Sequence, residues 1–304
     1  MKTFRRLLSY LKYEIRPFVL GLFLLLVSTI ATLTGPIIAK YLIDQVITPM
    51  EQTRLFEWET LLQGIGLYFV VTGIGYLCVY LNRVVMKNLS NRIAKRLRDE
   101  VFEHVQTLPI SYFDHLPAGK VVSRITSDTE SVRANFYVTG ISTLLSTIVT
   151  LIGVYIAIFM LHAGLAAALL VLIPLMLLWQ KTIAQLQRKL FSQNRELYSQ
   201  LSGQLNESLQ GAVIVQAFQQ EETIINEYEE KNKEWARVGH SELRLDAFFS
   251  WSLVALLKNI TLFCIVYFFS MQFIGGTLGI SAGLLYAFID YVNRIYEPIQ
   301  TFMN

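Results

Sequence analysis

The stretch PFVLGLFLLLVSTIATLTGPIIA, residues 17–39, decides the fold class, because its 23 consecutive residues carry no charge. An α-helix needs about 20 apolar residues to cross a hydrocarbon core about 30 Å thick. Within that core the backbone finds no water, so a spanning segment must be a helix or part of a closed barrel. A barrel strand needs only about 10 residues. The stretch therefore predicts a transmembrane helix.

Similar stretches recur along the chain. Residues 60–82 again hold 23 uncharged residues, and residues 134–180 hold 47, interrupted only by the turn-like Leu161–Gly164. Two further apolar stretches follow Asp246. We predict an all-α membrane protein with six long transmembrane helices. They are expected at Pro17–Ile43, Thr60–Asn82, Phe136–Leu161, Gly164–Gln180, Phe248–Phe273 and Ile280–Asn304.

Basic residues are concentrated in three segments between these helices. Lys and Arg number five in residues 1–16, nine in residues 59–134 and eight in residues 181–244, whereas residues 44–59 hold one against four acids. An excess of Lys and Arg marks the cytoplasmic side of a membrane. We therefore expect a multi-pass protein of the cell membrane, the inner membrane of a bacterium, with both termini in the cytoplasm.

The composition excludes several other classes of protein. A charged fraction of 16% with mean hydropathy +0.44 suits an integral membrane domain rather than a soluble enzyme. Although the net charge is +3, the basic clusters flank predicted spans, so no nucleic-acid partner is expected. The spacing of the Cys and His residues resembles neither a metal site nor a disulfide framework.

The first 16 residues predict a short helix at the membrane surface. Phe4, Leu7, Leu8 and Leu11 recur at helical spacing, and basic residues lie between them. Such an amphipathic helix lies in the interface before the first span. We expect residues 1–16 to form this interfacial, or elbow, segment.

Two segments continue the helical pattern beyond the apolar stretches. From Arg83 to Pro109, and from Lys181 to Gly211, polar residues follow without helix breakers. About 25 further residues at 1.5 Å each add about 35–40 Å. We expect membrane helices that run on into the cytoplasm, turn, and return as two long hairpins.

The turns of these hairpins contain apolar side chains. The first turn is Leu108–Gly119 and the second is Gly211–Phe218. Exposed apolar residues at a tip surrounded by water are typical of a partner site. The alternative is that Phe113 and Phe218 pack within their own hairpins.

Four stretches resemble the transmembrane domain of ABC exporters of the six-helix, half-transporter type, and together they cover nearly the whole chain. They are Gly35-Pro36 through Ile43-Asp44, Tyr112-Phe113-Asp114 with Pro117 through Thr129, Asn206 through Glu222, and Ala287 through Tyr291 with Pro298. The resemblance implies that the two hairpin turns are coupling helices, which dock onto nucleotide-binding domains. The implied residues are Ser111, Tyr112, Phe113, Asp114 and His115 in the first, and Val213, Val215, Gln216 and Phe218 in the second.

The ATPase domain of that family is absent from these 304 residues. No G-x-x-x-x-G-K-[ST] phosphate loop occurs, and the glycines at 275–279 lack the lysine. Gly64-x-Gly66 and Gly73-x-Gly75 lie inside a predicted span, where close helix packing is expected. We therefore expect residues 17–304 to be a transmembrane domain without its nucleotide-binding domain. By resemblance, ATP and Mg²⁺ would bind that missing domain, whether it follows Asn304 or is a separate chain.

Charged and aromatic residues inside the last two spans are candidates for a substrate cavity. A charge at mid-bilayer costs about 2.5–3.5 kcal/mol on insertion scales, which favours burial against a partner or a wet cavity. The candidate residues are Lys258, Tyr286, Phe288, Asp290 and Tyr291. Alternatively, the charges serve helix packing or pair with each other, and the aromatic residues form an interfacial belt.

These expectations combine into one functional hypothesis. The full-length protein would be an ATP-hydrolysing translocase that moves amphipathic, drug-like or lipid-like molecules out of the cytoplasm by alternating access. A second half-transporter, identical or different, would complete it. The alternative is a channel-like or regulatory membrane subunit that does not pump.

Overall fold

The structure is a computed structural model that describes residues 2–49, 58–114, 117–274 and 281–302. Throughout these ranges the secondary structure is helical, and no strand occurs in them. The prediction of an all-α protein is confirmed. The chain divides into two units, one of Met1–Leu161 with Phe269–Ile295, the other of His162–Phe268 with Tyr296–Asn304.

The first unit begins with three helices, which correspond to the predicted elbow segment and to the first two predicted spans. A short 3-10 turn, Leu11–Glu14, joins the first helix to the second, and a wide π-type turn, Ile43–Ile47, continues the second. The helices are α1 (Lys2–Tyr10), α2 (Ile15–Leu42) and α3 (Trp58–Gln106). Pro36 lies inside α2 without ending it.

Glycines let α2 and α3 approach closely. A Cβ at Gly64 would lie 2.1 Å from Cδ2 of Leu42, and one at Gly75 would lie 3.2 Å from Cβ of Ala31. By contrast, Gly73 has nothing within 4 Å of that position. Close packing is therefore confirmed for Gly64 of the first predicted pair and for Gly75 of the second. These two glycines are 11 residues, or about three turns, apart and lie on the same face of α3.

The next part of the first unit, up to Leu161, contains the first tip and the return of the first hairpin. Two wide π-type turns, Arg124–Asp128 and Arg133–Thr143, interrupt this return. The regular helices are α4 (Ile110–Asp114), α5 (Ala118–Ser123), α6 (Thr129–Val132) and α7 (Leu144–Leu161).

The elbow helix is held against α3 by a small core. Tyr10 and Tyr137 are buried together with Leu89 and Ile93 of α3. The hydroxyl of Tyr137 donates to the backbone carbonyl of Leu7 at 2.8 Å. This core fixes the start of the chain to the return of the first hairpin.

The second unit contains the second hairpin. Its turn at His162 is confirmed, because the His162 ring accepts the Leu165 N–H at 3.2 Å and so caps the next helix. Its helices are α8 (Ala163–Leu170), α9 (Leu172–Gln210), α10 (Ala212–Ala217) and α11 (Glu221–Leu245). The wide turn Asp246–Ser252 leads into α12 (Leu253–Ile274), whose residues from Phe269 onward belong to the first unit. The break at Val171 reflects Pro174, which has no N–H to offer the carbonyl four residues back.

A polar network joins the two long helices of the second hairpin. Asn194 of α9 accepts a hydrogen bond from the Trp235 indole and donates one to Glu242 at 2.6 Å, and both partners lie on α11. Partly buried hydrogen bonds of this kind each stabilise by about 1 kcal/mol. They hold α9 and α11 together within the charged part of the second hairpin.

Five helical runs in the described part of the chain are long and apolar enough to cross a membrane, with lengths of 43 to 52 residues. A run of 49 residues is about 74 Å long, more than twice the thickness of a hydrocarbon core. The predicted extensions are thus confirmed as continuous helix. The last segment, α13 (Ala282–Phe302), is also helical, but it carries Asp290, Arg294 and Glu297, and its membrane crossing stays a prediction.

Asp44 joins the end of the first span to the start of α13. Its carboxylate accepts hydrogen bonds from the Ser281 hydroxyl at 2.6 Å and the Gly283 N–H at 2.9 Å, and it pairs with Lys40 at 3.2 Å. A carboxylate at a helix N-terminus satisfies free backbone donors and faces the positive end of the helix dipole. The sequence suggests no role for Asp44, because Ser281 and Gly283 lie more than 230 residues away.

Candidate functional site

The first tip, Ile110–Asp114, is a single helical turn that follows Pro109. The Tyr112 N–H closes it by donating to the Pro109 carbonyl at 2.9 Å. Ile110 is 80% exposed and Phe113 is 41% exposed, and Ser111 is exposed too. The predicted His115 lies outside the described residues. Apolar side chains therefore face outward at this tip.

Tyr112 differs from its neighbours because it is tied to the returning helix. Its hydroxyl accepts a hydrogen bond from Nη1 of Arg124 at 2.7 Å, and its ring packs edge-on against Phe113 at 5.5 Å. Sequence reasoning did not find Arg124. The contact fixes the orientation of the first tip relative to the helix that leaves it.

A charged clamp holds the returning helix against α3. Arg98 donates to Thr129 at 3.1 Å and to Glu130 at 2.9 Å, and Arg133 also pairs with Glu130. The Arg133 guanidinium lowers the pKa of the Glu130 carboxyl, with a smaller contribution from Arg98. Glu130 therefore stays ionised at pH values below the ordinary titration range of a carboxyl group, so the clamp weakens only in acid.

The second tip is Ala212–Phe218, which consists of α10 and the residue after it. Val213, Ile214 and Phe218 are 79%, 64% and 72% exposed. Of the other predicted residues, Gln216 is exposed and Val215 is half-buried. The alternative that Phe218 packs within its own hairpin is wrong for this structure, because nearly three quarters of its surface is open.

A left-handed residue ends the second tip. Gln219 has φ 54°, in the region that favours glycine. The Gln219 N–H donates to the Gln216 carbonyl at 3.1 Å, and the Gln220 N–H donates to the Val215 carbonyl at 3.0 Å. These two bonds form the Schellman pattern that closes many helices.

Replacing Gln219 with glycine is expected to stabilise the second tip. A left-handed conformation costs a residue with a Cβ about 1–2 kcal/mol, and glycine avoids most of that cost. We expect amide exchange across residues 212–220 to slow by about fivefold, which corresponds to about 1 kcal/mol. The matched control, Gln216→Gly inside the helical turn, should speed exchange, because glycine there loses helix propensity. Equal effects of the two substitutions would contradict the assigned backbone.

The predicted aromatic cavity residues of the first unit differ in exposure. Phe288 and Tyr291 are fully buried within the first unit. The Tyr291 hydroxyl donates to the Leu33 carbonyl at 2.7 Å, and the Phe288 ring lies 5.6 Å from that of Phe269. In this conformation these two residues pack helices together and offer no surface to a cavity. Tyr286, by contrast, is 41% exposed.

The two charges that were predicted to lie within the membrane have different surroundings. Asp290 pairs with Arg294, one turn along its own helix, at 2.6 Å. This (i, i+4) pair lowers the cost of placing either charge near the bilayer. Lys258 belongs to the second unit and is half-buried, and it forms no ion pair with any residue that the structure describes.

The geometry defines a class of protein. Long apolar helices continue into two charged hairpins, and each hairpin ends in a short turn with outward apolar side chains. This is a multi-pass α-helical membrane domain.

The chain belongs to the ABC transporter transmembrane region family, whose sequence model matches residues 18–298. The resemblance of the sequence to an ABC transporter transmembrane domain is therefore confirmed across nearly the whole chain.

Several curated proteins are similar to the chain. One, described as a probable multidrug resistance ABC transporter ATP-binding/permease protein YheH of Bacillus subtilis (strain 168), is 35% identical over 74% of this chain and 33% of its own length. The multidrug resistance-like ATP-binding protein MdlB of Buchnera aphidicola is 27% identical over 97% of this chain and 50% of its own length. An ATP-dependent lipid A-core flippase of Syntrophus aciditrophicus is 24% identical over 100% and 49%. The chain thus spans a third to a half of these relatives.

Proposed function

We propose that the chain is the transmembrane half of an ATP-driven exporter for amphipathic small molecules. The observation that carries the proposal is the family match over residues 18–298, combined with two long hairpins whose tips expose apolar side chains. Two of the similar proteins are described as ATP-binding multidrug resistance proteins, and the third is described as an ATP-dependent lipid A-core flippase. A drug-like or lipid-like cargo is the class these descriptions favour.

The two tips are proposed as the contacts with nucleotide-binding domains. An isolated apolar side chain at the end of a hairpin gains stability only when a partner covers it. ATP and Mg²⁺ would bind those domains, and the long helices of this chain would transmit their movement to the membrane. Continuous helices about 70 Å long can carry a displacement at the tip to the membrane, provided that ATP and cargo bind two global states with different affinity.

A second half-transporter, identical or different, is the proposed partner within the membrane. In the proposed orientation both termini and both tips lie in the cytoplasm of a bacterial cell, because the basic residues are concentrated on that side. Tyr286, Asp290 and Lys258 remain proposed contacts for cargo. Phe288 and Tyr291 are proposed to support the cavity wall from behind, since both are buried.

The proposal is tested by transport in proteoliposomes that contain the full-length protein and its partner. We expect accumulation of an amphipathic fluorescent dye against its gradient only when ATP and Mg²⁺ are present on the side of the tips. Omission of ATP, or its replacement by ADP, is the matched control. Downhill flux that is equal with and without ATP would contradict the exporter and support the channel-like alternative.

A further inference from the structure

Wide helical turns, in which a backbone N–H reaches the carbonyl five residues back, are rare in proteins and are frequent at functional sites. The described part of this chain has four. They are Ile43–Ile47, Arg124–Asp128, Arg133–Thr143 and Asp246–Ser252. Two of them flank α6 in the return of the first hairpin, between the first tip and the apolar helix α7.

Side chains independently show the wide geometry at Arg133–Thr143. The Thr143 hydroxyl donates to the Val138 carbonyl, five residues back, at 3.3 Å. A Cβ at Gly140 would lie 3.1 Å from the Asn135 carbonyl oxygen, again five residues back. In the regular helix α3, by contrast, the Thr72 hydroxyl bonds the carbonyl four residues back.

The same hydroxyl contact recurs at two other wide turns. Thr48 donates to the Ile43 carbonyl at 2.8 Å, and Ser252 donates to the Ala247 carbonyl at 2.9 Å. At each of these three turns, a Ser or Thr is either the last residue of the wide segment or the residue after it. Its hydroxyl donates to the carbonyl five residues earlier in the chain. The sequence thus provides a hydroxyl that stabilises the wide turn where it occurs.

Fixed contacts lie on both sides of the wide turn Arg133–Thr143. Before it, Glu130 is clamped to Arg98. After it, Val154 and Ile158 of α7 are fully buried, and a Cβ at Gly153 would lie 2.7 Å from the Leu33 side chain. The number of residues per turn between these contacts therefore sets the rotation of α7 relative to the first hairpin.

We propose that Arg133–Thr143 is a register switch, which changes between wide and regular hydrogen bonding during the transport cycle. A wide turn holds one residue more than a regular turn. When its hydrogen bonding becomes regular, the helix on one side of it rotates about its axis by about 100° for each residue that the turn no longer holds. Movement of the first tip would thereby become rotation of the apolar half of the helix. The inference rests on the proposed function, because it requires nucleotide to move that tip.

The test is a nitroxide scan of residues 148–159 in the full-length protein in lipid nanodiscs, read by oxygen accessibility. In the resting protein we expect maxima at Ile148, Ile152, Ile156 and Phe159, which are 51–63% exposed. With ATP and vanadate, the maxima should move by one position. Deletion of Gly140 removes the extra residue, so the resting pattern should persist in both states.

Deletion of Thr72, in the regular helix α3, is the matched control. No wide turn lies in α3, so that deletion should lower the melting temperature more than deletion of Gly140. If wild-type maxima stay at the same residues in both states, or if the Gly140 deletion still shows the change, the register switch is overturned.

Spin labels at position 106 of the two subunits, on the exposed last residue of α3 before the first tip, separate this outcome from failure of the proposed function. A tip-to-tip distance that changes with nucleotide while the maxima stay fixed overturns the register switch alone. A distance that does not change with nucleotide overturns both proposals. A change in both readouts, with loss of the accessibility change in the Gly140 deletion, supports both.

Discussion

Replacing Gly283 with alanine is expected to separate the start of α13 from the end of the first span. The added Cβ would lie 2.5 Å from the Lys40 carbonyl oxygen and 2.7 Å from Oδ1 of Asp44, closer than real Cβ contacts come. The backbone must move, which lengthens the bonds that Asp44 accepts from Ser281 and from position 283. Overpacking of this kind costs about 1–3 kcal/mol, and a buried carboxylate that loses donors adds to it.

We expect the melting temperature of the detergent-solubilised protein to fall by about 5 °C or more, since about 1 kcal/mol shifts the midpoint of a large domain by about 2–4 °C. Gly73→Ala is the matched control, because a Cβ at Gly73 meets nothing within 4 Å. That control should keep or slightly raise the melting temperature, because alanine favours a helix. Equal melting temperatures for the two variants would contradict the close junction at Asp44.

Replacing Phe218 with aspartate is expected to abolish the stimulation of ATPase activity by cargo in the full-length protein, with a loss of at least about tenfold. Phe218 is 72% exposed, so the hairpin itself does not need the ring. If a nucleotide-binding domain covers it, a charge at that place must be desolvated without a counter-charge, which costs several kcal/mol. The measurement is ATPase rate against cargo concentration in nanodiscs.

Ile225→Asp is the control for Phe218→Asp. Ile225 is 62% exposed and lies on α11, two turns beyond the second tip. An exposed substitution away from a partner changes stability by about 0.5 kcal/mol or less, so both variants should fold and insert equally. If Phe218→Asp kept normal cargo stimulation, the second tip would have no part in coupling.

The long-range architecture was predictable because it depends on local patterns. An uncharged run of more than 20 residues has one physical solution in a bilayer, and the polar continuation from Lys181 keeps helical spacing without a breaker. The apolar tips were predictable for a similar reason, since Val213 and Phe218 belong to an apolar patch within a polar surround. That the tips act as coupling helices was implied only by the family resemblance.

What could not be predicted depends on contacts between distant residues. Asp44 reads as an ordinary residue at a helix end, and only the fold brings it to Ser281 and Gly283. The burial of Tyr291 has the same origin, because its partner is the Leu33 carbonyl. The hydrophobic periodicity of the sequence does not reveal the wide turns either, since one extra residue in a turn leaves the run of apolar residues uninterrupted.

The central claim is that the two tips project well beyond the bilayer, where an ATP-driven partner can hold them. Its most direct test is the immersion depth of nitroxides at positions 113 and 218 of the full-length protein in lipid nanodiscs, measured by power saturation with oxygen and a water-soluble nickel chelate. We predict that the ratio of chelate to oxygen accessibility at both labels is that of a site in water, even where a nucleotide-binding domain lowers the accessibility to both reagents. Labels at the depth of the lipid headgroups, or on the opposite side from the ATP site, would contradict the account.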